Sequence, residues 1–172
     1  FDIGELPGSR GNTKAKRLSQ GGGAVFAHVR KSFGSGLLQL AMNGAGPKNV
    51  EGWFGKSDPF FELSRKVDGL GALAWDNVYR SKAIQDNLNP EWEHAVIDLS
   101  ALCDADLDRP ILVTVFDDNL SSGKHVSMGQ FETTVNDLLQ AAQLKREGFK
   151  LTRKGKDVGT IGIVSATVDG ME

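Results

Sequence analysis

Short apolar runs, broken at close intervals by glycine, asparagine or proline, constrain this chain more than any other feature. They fall at Ala24 to Arg30, Leu37 to Met42, Pro59 to Arg65, Trp75 to Lys82 and Trp92 to Leu99, then at Ile111 to Phe116, Met128 to Thr133, Phe149 to Thr152 and Thr160 to Val168. Several alternate with the period of an extended strand. Val25, Ala27 and Val29 share one face, and Ile161, Ile163 and the small Ser165 share another. Eight or nine short strands in ~150 residues, with turn residues between them, point to an all-β fold, an antiparallel eight-stranded β-sandwich. One short helix is expected late in the chain. Thr134 can cap it, and Val135, Leu138, Leu139 and Ala142 make an apolar stripe at helical spacing. A shorter helical turn is expected at Ser100 to Cys103.

The sandwich is expected over residues 21–170. Residues 1–20 are polar and basic, with Arg10, Lys14, Lys16 and Arg17, and Gly21-Gly22-Gly23 then interrupts the chain. That segment reads as a linker or as the end of a preceding domain. Hydrophobic residues make up 40% of the chain, enough to bury a core. The formal net charge of -2 excludes a global attraction to nucleic acid or to an anionic membrane, so any such contact must come from a local patch. A single cysteine, Cys103, excludes an intrachain disulfide and a cysteine-based zinc site, and it fits a reducing interior such as cytosol. No apolar run approaches the ~18 residues of a membrane-spanning helix. The chain starts at Phe1 with no signal-peptide pattern, and it reads as a fragment of a longer protein.

Two strand ends carry the chemistry. Gly55-Lys56-Ser57-Asp58-Pro59 leads into the apolar Phe60-Phe61-Glu62-Leu63, while Ile111 to Phe116 runs out onto Asp117-Asp118-Asn119. If these ends meet at one edge of the sandwich, hard oxygen ligands converge in a loop pocket, the arrangement a calcium ion needs.

With those loops in place, an ordered set of motifs resembles the second C2 domain of a copine over nearly the whole chain. Leu40-Ala41-Met42-Asn43 matches the second strand and Phe54 to Phe60 the first loop. Val78-Tyr79-Arg80-Ser81-Lys82 leads to the Asn87-Leu88-Asn89-Pro90-Glu91-Trp92 turn. Leu99 to Asp106 is similar to a Leu-Cys-x-x-Asp segment more particular to copines, and Gly123-Lys124-His125 with Gly129-Gln130-Phe131 closes the set. Gly4-Glu5-Leu6 through Gly11 resembles the last piece of a preceding C2 domain.

The resemblance implies a cytoplasmic module, peripheral at the plasma membrane, that docks on anionic phospholipid in response to calcium. Its neighbours would be another C2 domain and a von Willebrand A-type domain of the same chain. It also assigns residues. Asp58 and Asp117 stand at aspartate ligand positions of the two loops. The next position holds Asn119, which offers an uncharged carbonyl oxygen, and the last falls on Val126, which cannot ligate through its side chain. The first loop-one position lands on Gly52, or on Glu51 if that loop carries a one-residue bulge. The loop around Asp118 is one residue longer than usual, which can bring Asp118 into service. Such a set suits one weakly held calcium ion, because affinity at oxygen sites follows charge count. Trp53 and Phe54 at the crest of loop one, and Leu120 at the crest of the opposite loop, are the candidate lipid contacts. Inserting both aromatics would contribute about 2 to 5 kcal/mol. Phe54 packed back against the sandwich edge is the competing reading. Arg65, Lys66, Arg80 and Lys82 stand where C2 domains often carry a cationic face.

Plainer readings and other functions remain beside this one. Acidic loop residues are commonly just solvated, and Asp before Pro is a routine turn former. Gly55-Lys56-Ser57 is no phosphate-binding loop, because Val50 stands where that motif needs glycine and a strand follows instead of a helix. Asn119-Leu120-Ser121 is a glycosylation sequon that matters only in a secreted protein. Catalysis is not expected: Asp104 and Asp106 dull Cys103 as a nucleophile, and His28, His94 and His125 lack metal-ligand spacing. The alternative function is a calcium-independent protein-interaction module, which the residues at Gly52, Asn119 and Val126 favour.

Overall fold

The computed structural model describes residues 13–17, 24–28, 36–46, 57–67, 74–87, 89–118 and 125–171. Its contacts divide the chain into two units, residues 1–32 and 33–172. In the first, β1 (Thr13–Arg17) pairs antiparallel with β2 (Ala24–His28), Thr13 opposite His28 and Arg17 opposite Ala24. The strand expected at Ala24 to Arg30 therefore forms, with its partner in the segment read as a linker.

The second unit holds β3 (Leu37–Ala45), β4 (Pro59–Val67), β5 (Ala74–Arg80), β6 (Ala95–Asp98), β7 (Ile111–Asp117), β8 (Val126–Thr133), β9 (Phe149–Arg153) and β10 (Lys156–Asp169). These eight strands run in the order β5-β4-β7-β8-β9-β10-β3-β6, and every described pairing is antiparallel. The ladder passes from β8 to β9 through one pair, Gln130 with Thr152. The sheet thus folds into two four-stranded halves. Their inner faces meet in one core, where Leu38, Leu40 and Met42 of β3 join Phe61 and Leu63 of β4 and Val113 and Val115 of β7. Period-two alternation puts these residues on the inner side, and burying each large one contributes about 1.5–3 kcal/mol.

Two helices stand between strands. α1 (Leu99–Cys103) begins where Asp98 caps it, accepting from the Ser100 and Ala101 N–H groups. It ends on Asp104 in the left-handed conformation, φ 55°. The strand expected at Trp92 to Leu99 is shorter at both ends: it begins at Ala95, and the Asp98 cap stops it before Leu99. α2 (Val135–Gln143) starts at Thr134, whose hydroxyl accepts from the Asp137 N–H at 3.1 Å. Its buried residues are Val135, Leu138 and Ala141. No helix among the described residues is long and apolar enough to cross a membrane.

Candidate loop-end site

The register of β4 against β7 sets Pro59 opposite Asp117, so the entry to one strand and the exit from the other lie side by side. Three hydrogen bonds tie this corner together. The Asp58 N–H donates to Asp117 Oδ1 at 2.9 Å. The Asp118 N–H donates to the Asp58 carbonyl at 3.0 Å. The Asp86 N–H, from the segment between β5 and β6, donates to Asp58 Oδ1 at 3.1 Å. Proline at position 59 suits the arrangement because it has no N–H to satisfy there. Its carbonyl accepts from Trp92 Nε1 at 3.0 Å and from the Ile84 N–H at 3.1 Å, which locks the base of the loop to the core.

Beside the carboxylates lies an aromatic stack. Phe60, 2% exposed, stacks on Phe116 with centroids 5.4 Å apart and meets the edge of His125 at 5.0 Å. The Arg80 guanidinium stands 5.0 Å from the Phe60 centroid. His125 Nδ1 lies 3.2 Å from Asp118 Oδ1. So His125, which the sequence offered only as a histidine without metal-ligand spacing, links one loop carboxylate to the stack. Nothing in the sequence spacing signalled that link.

Of the expected ligands, the structure brings Asp58 and Asp117 together, with Asp118 next in the chain and turned to His125. Val126 pairs with Asp117 in the ladder and offers no side-chain oxygen. Glu51 and Asn119 lie outside the described residues, as do Trp53, Phe54 and Leu120. The donor chemistry fits calcium in part. Two adjoining carboxylates are hard oxygen ligands, but a calcium shell takes roughly six to eight oxygens. Among the described residues, no group of three or more His, Cys, Asp or Glu side chains could hold a metal ion.

The four basic residues are distributed over different surfaces. Arg65 shares the strand parity of the core residues Phe61 and Leu63, and its guanidinium lies 3.8 Å from Asp104 beyond α1. Lys66, one residue on, takes the opposite face and pairs with Trp75 in the ladder. Arg80 donates through Nε to Glu62 Oε1 at 2.7 Å. Lys82 lies beyond β5, 3.1 Å from Glu93. Among the described residues, three of the four positive charges thus face a carboxylate.

An antiparallel sandwich with acid-tipped connections at one end defines a class of loop-presenting β modules. The chain belongs to the C2 domain family, whose model matches residues 39–151. C2 domains commonly serve in membrane targeting or protein interaction. The chain is similar to the solved structure BON1-C2B at 21% identity, with 78% of this chain and 92% of that one covered and a TM-score of 0.64, a likeness of fold. It also matches a structure described as a C2 domain at 14% identity, over 78% of this chain and 97% of that one, TM-score 0.44. A C2 domain-containing protein from a putative elicitor-responsive gene matches at 12% identity, over 83% and 92%, TM-score 0.44.

Proposed function

We propose that this C2 domain is a copine-like peripheral membrane-targeting module that binds anionic phospholipid in a calcium-dependent manner through a reduced ligand set. The observation that carries the reading is the pairing of Asp58 with Asp117 at adjoining strand ends. Without a cation, these carboxylates repel an anionic bilayer. Calcium bound there would supply the positive charge that removes this repulsion. Asp58 and Asp117 supply charged oxygens, Asp86 orients the Asp58 carboxylate through its N–H, and the Pro59 anchors hold the corner to the core. Trp53, Phe54 and Leu120 are then the apolar contacts with lipid, since an amphipathic aromatic suits the headgroup boundary. The ordered copine-like motifs support the family part of this reading, with a non-catalytic role, a cytoplasmic location at the plasma membrane, and adjacent C2 and von Willebrand A-type domains as neighbours.

One observation favours the second reading, a calcium-independent protein-interaction module. The Oδ1 atoms of Asp58 and Asp117 already accept backbone hydrogen bonds, and Asp118 is paired with His125. Sedimentation with phosphatidylserine-containing vesicles, in calcium and in chelator, separates the two when run beside Trp53→Ala. Binding in calcium alone, lost in the variant, is expected of the membrane switch. An absence of vesicle binding in every condition contradicts it and favours the protein-interaction reading.

A further inference from the structure

The seam between the two halves of the sheet carries a second feature. β8 and β9 share the single Gln130–Thr152 pair, where Thr152 Oγ1 donates to the Gln130 carbonyl at 3.1 Å. Beside that pair lies a cleft of about 430 Å³, lined by Ser127, Gln130, Thr152, Arg153, Lys154 and Gly155. Among the described residues, the lining offers two cations, two hydroxyls and a carboxamide, and no acid. Neither Arg153 nor Lys154 forms an ion pair with a described residue. Asp157, the acid on the same hairpin, is engaged elsewhere: it lies 3.7 Å from Lys150 Nζ and accepts the Gly159 N–H at 3.2 Å.

The turn that presents these charges is unusual. Arg153 pairs with Lys156, and the two residues between them, Lys154 and Gly155, are both left-handed, with φ 51° and 74°. Such two-residue turns favour asparagine or glycine, because an L side chain crowds its own backbone there. Lysine at the first turn position holds a charge at the cleft against that preference. The location matters as well. Ser127 stands opposite Phe116 and its neighbour Val126 opposite Asp117, so the cleft opens one strand away from the carboxylate pair.

We propose that this cleft binds a phosphate monoester, carried on a lipid headgroup or on a soluble inositol phosphate. Arg153 supplies a planar fork that matches phosphate oxygens, Lys154 a point charge, and Ser127 and Gln130 neutral donors. The site goes beyond the calcium reading, since it needs neither the loop carboxylates nor the loop tips.

The test uses the 172-residue chain in chelator. Inositol trisphosphate is titrated by calorimetry, and phosphatidylcholine vesicles doped with phosphatidylinositol bisphosphate are used in sedimentation. Arg153→Gln with Lys154→Asn is expected to weaken binding by about tenfold or more, as for the loss of charge-assisted contacts. Asparagine keeps the left-handed turn, and Arg153→Gln alone, outside the turn, guards against misfolding of the pair. The charge-matched Lys145→Gln with Arg146→Gln is expected to bind as the parent does. Binding of both probes identifies phosphate itself as sufficient, and binding of the doped vesicles alone identifies the lipid as the source. No binding of either probe overturns the proposal, as does an unchanged Arg153/Lys154 variant or an equal loss in the Lys145/Arg146 control. Phosphate binding in chelator without calcium-dependent phosphatidylserine binding would sink the calcium switch and leave this site standing; the reverse result would do the opposite.

Discussion

Cys103 and Asp98 stand at either end of the same five-residue helix and illustrate how environment sets chemistry. Burial pushes the Cys103 thiol up to about 11, with Asp106 and Asp104 adding to the effect. A thiol reagent is therefore expected to leave native Cys103 unmodified at neutral pH and to label it fully in denaturant. Rapid labelling of the native chain would contradict this. The sign of its linkage is also fixed: a raised folded-state value means the unfolded chain releases its proton first, so this group lowers stability as pH rises from about 9 to about 11. Asp98 behaves oppositely. Hydrogen bonds from the Ser100 hydroxyl and N–H hold its carboxyl below the usual value, so its capping contribution is present above the unfolded value of 3.8 and is lost as pH falls through the lower folded one. Asp98→Ala is expected to cost about 0.5–2 kcal/mol in urea denaturation at neutral pH. The deficit should shrink in acid; a pH-independent deficit would show that the carboxylate is not the capping group.

At the level of elements, the seam between β8 and β9 depends on one glycine. Gly129 has φ +153°, and a Cβ there would lie 2.7 Å from Leu151 Cγ and 2.9 Å from Val158 Cγ2. Gly129→Ala is expected to destabilise the fold by about 1–3 kcal/mol through overpacking, measured by urea denaturation. An unchanged midpoint would mean that β9 can move away freely. The sequence revealed the strands wherever burial is one-sided, as in β3, where Leu38, Leu40 and Met42 alternate inward. It failed where pairing alone makes the strand: Thr13-Lys14-Ala15-Lys16-Arg17 carries no apolar period, and only its ladder with β2 reveals it. It also ran β6 on to Leu99, because the Asp98 cap stops a strand whose apolar pattern continues. Asp58 and Asp117 were legible because each ends a strongly apolar strand. The Asp118–His125 link was not, since it depends on how a loop closes. Nor were the ion pairs of Arg65, Arg80 and Lys82, whose partners are brought near by the fold and not by sequence spacing.

Over the whole molecule, a net charge of -2 conceals a division of labour. The strand ends at Asp58 and Asp117 gather negative charge at the corner between β4 and β7, while the β9–β10 hairpin presents Arg153, Lys154 and Lys156 in exposed positions. On the proposed reading, attachment to an anionic surface is governed by whether the carboxylate pair is neutralised. It is tested most directly by vesicle sedimentation of Asp58→Asn and Asp117→Asn across a calcium titration. Asparagine retains a carbonyl oxygen to accept the Asp86 and Asp58 N–H bonds, so each variant removes charge and keeps the corner. The parent is expected to bind phosphatidylserine vesicles only as calcium rises, and both variants to lose this dependence on calcium. Calcium-dependent binding that survives in both variants would contradict it.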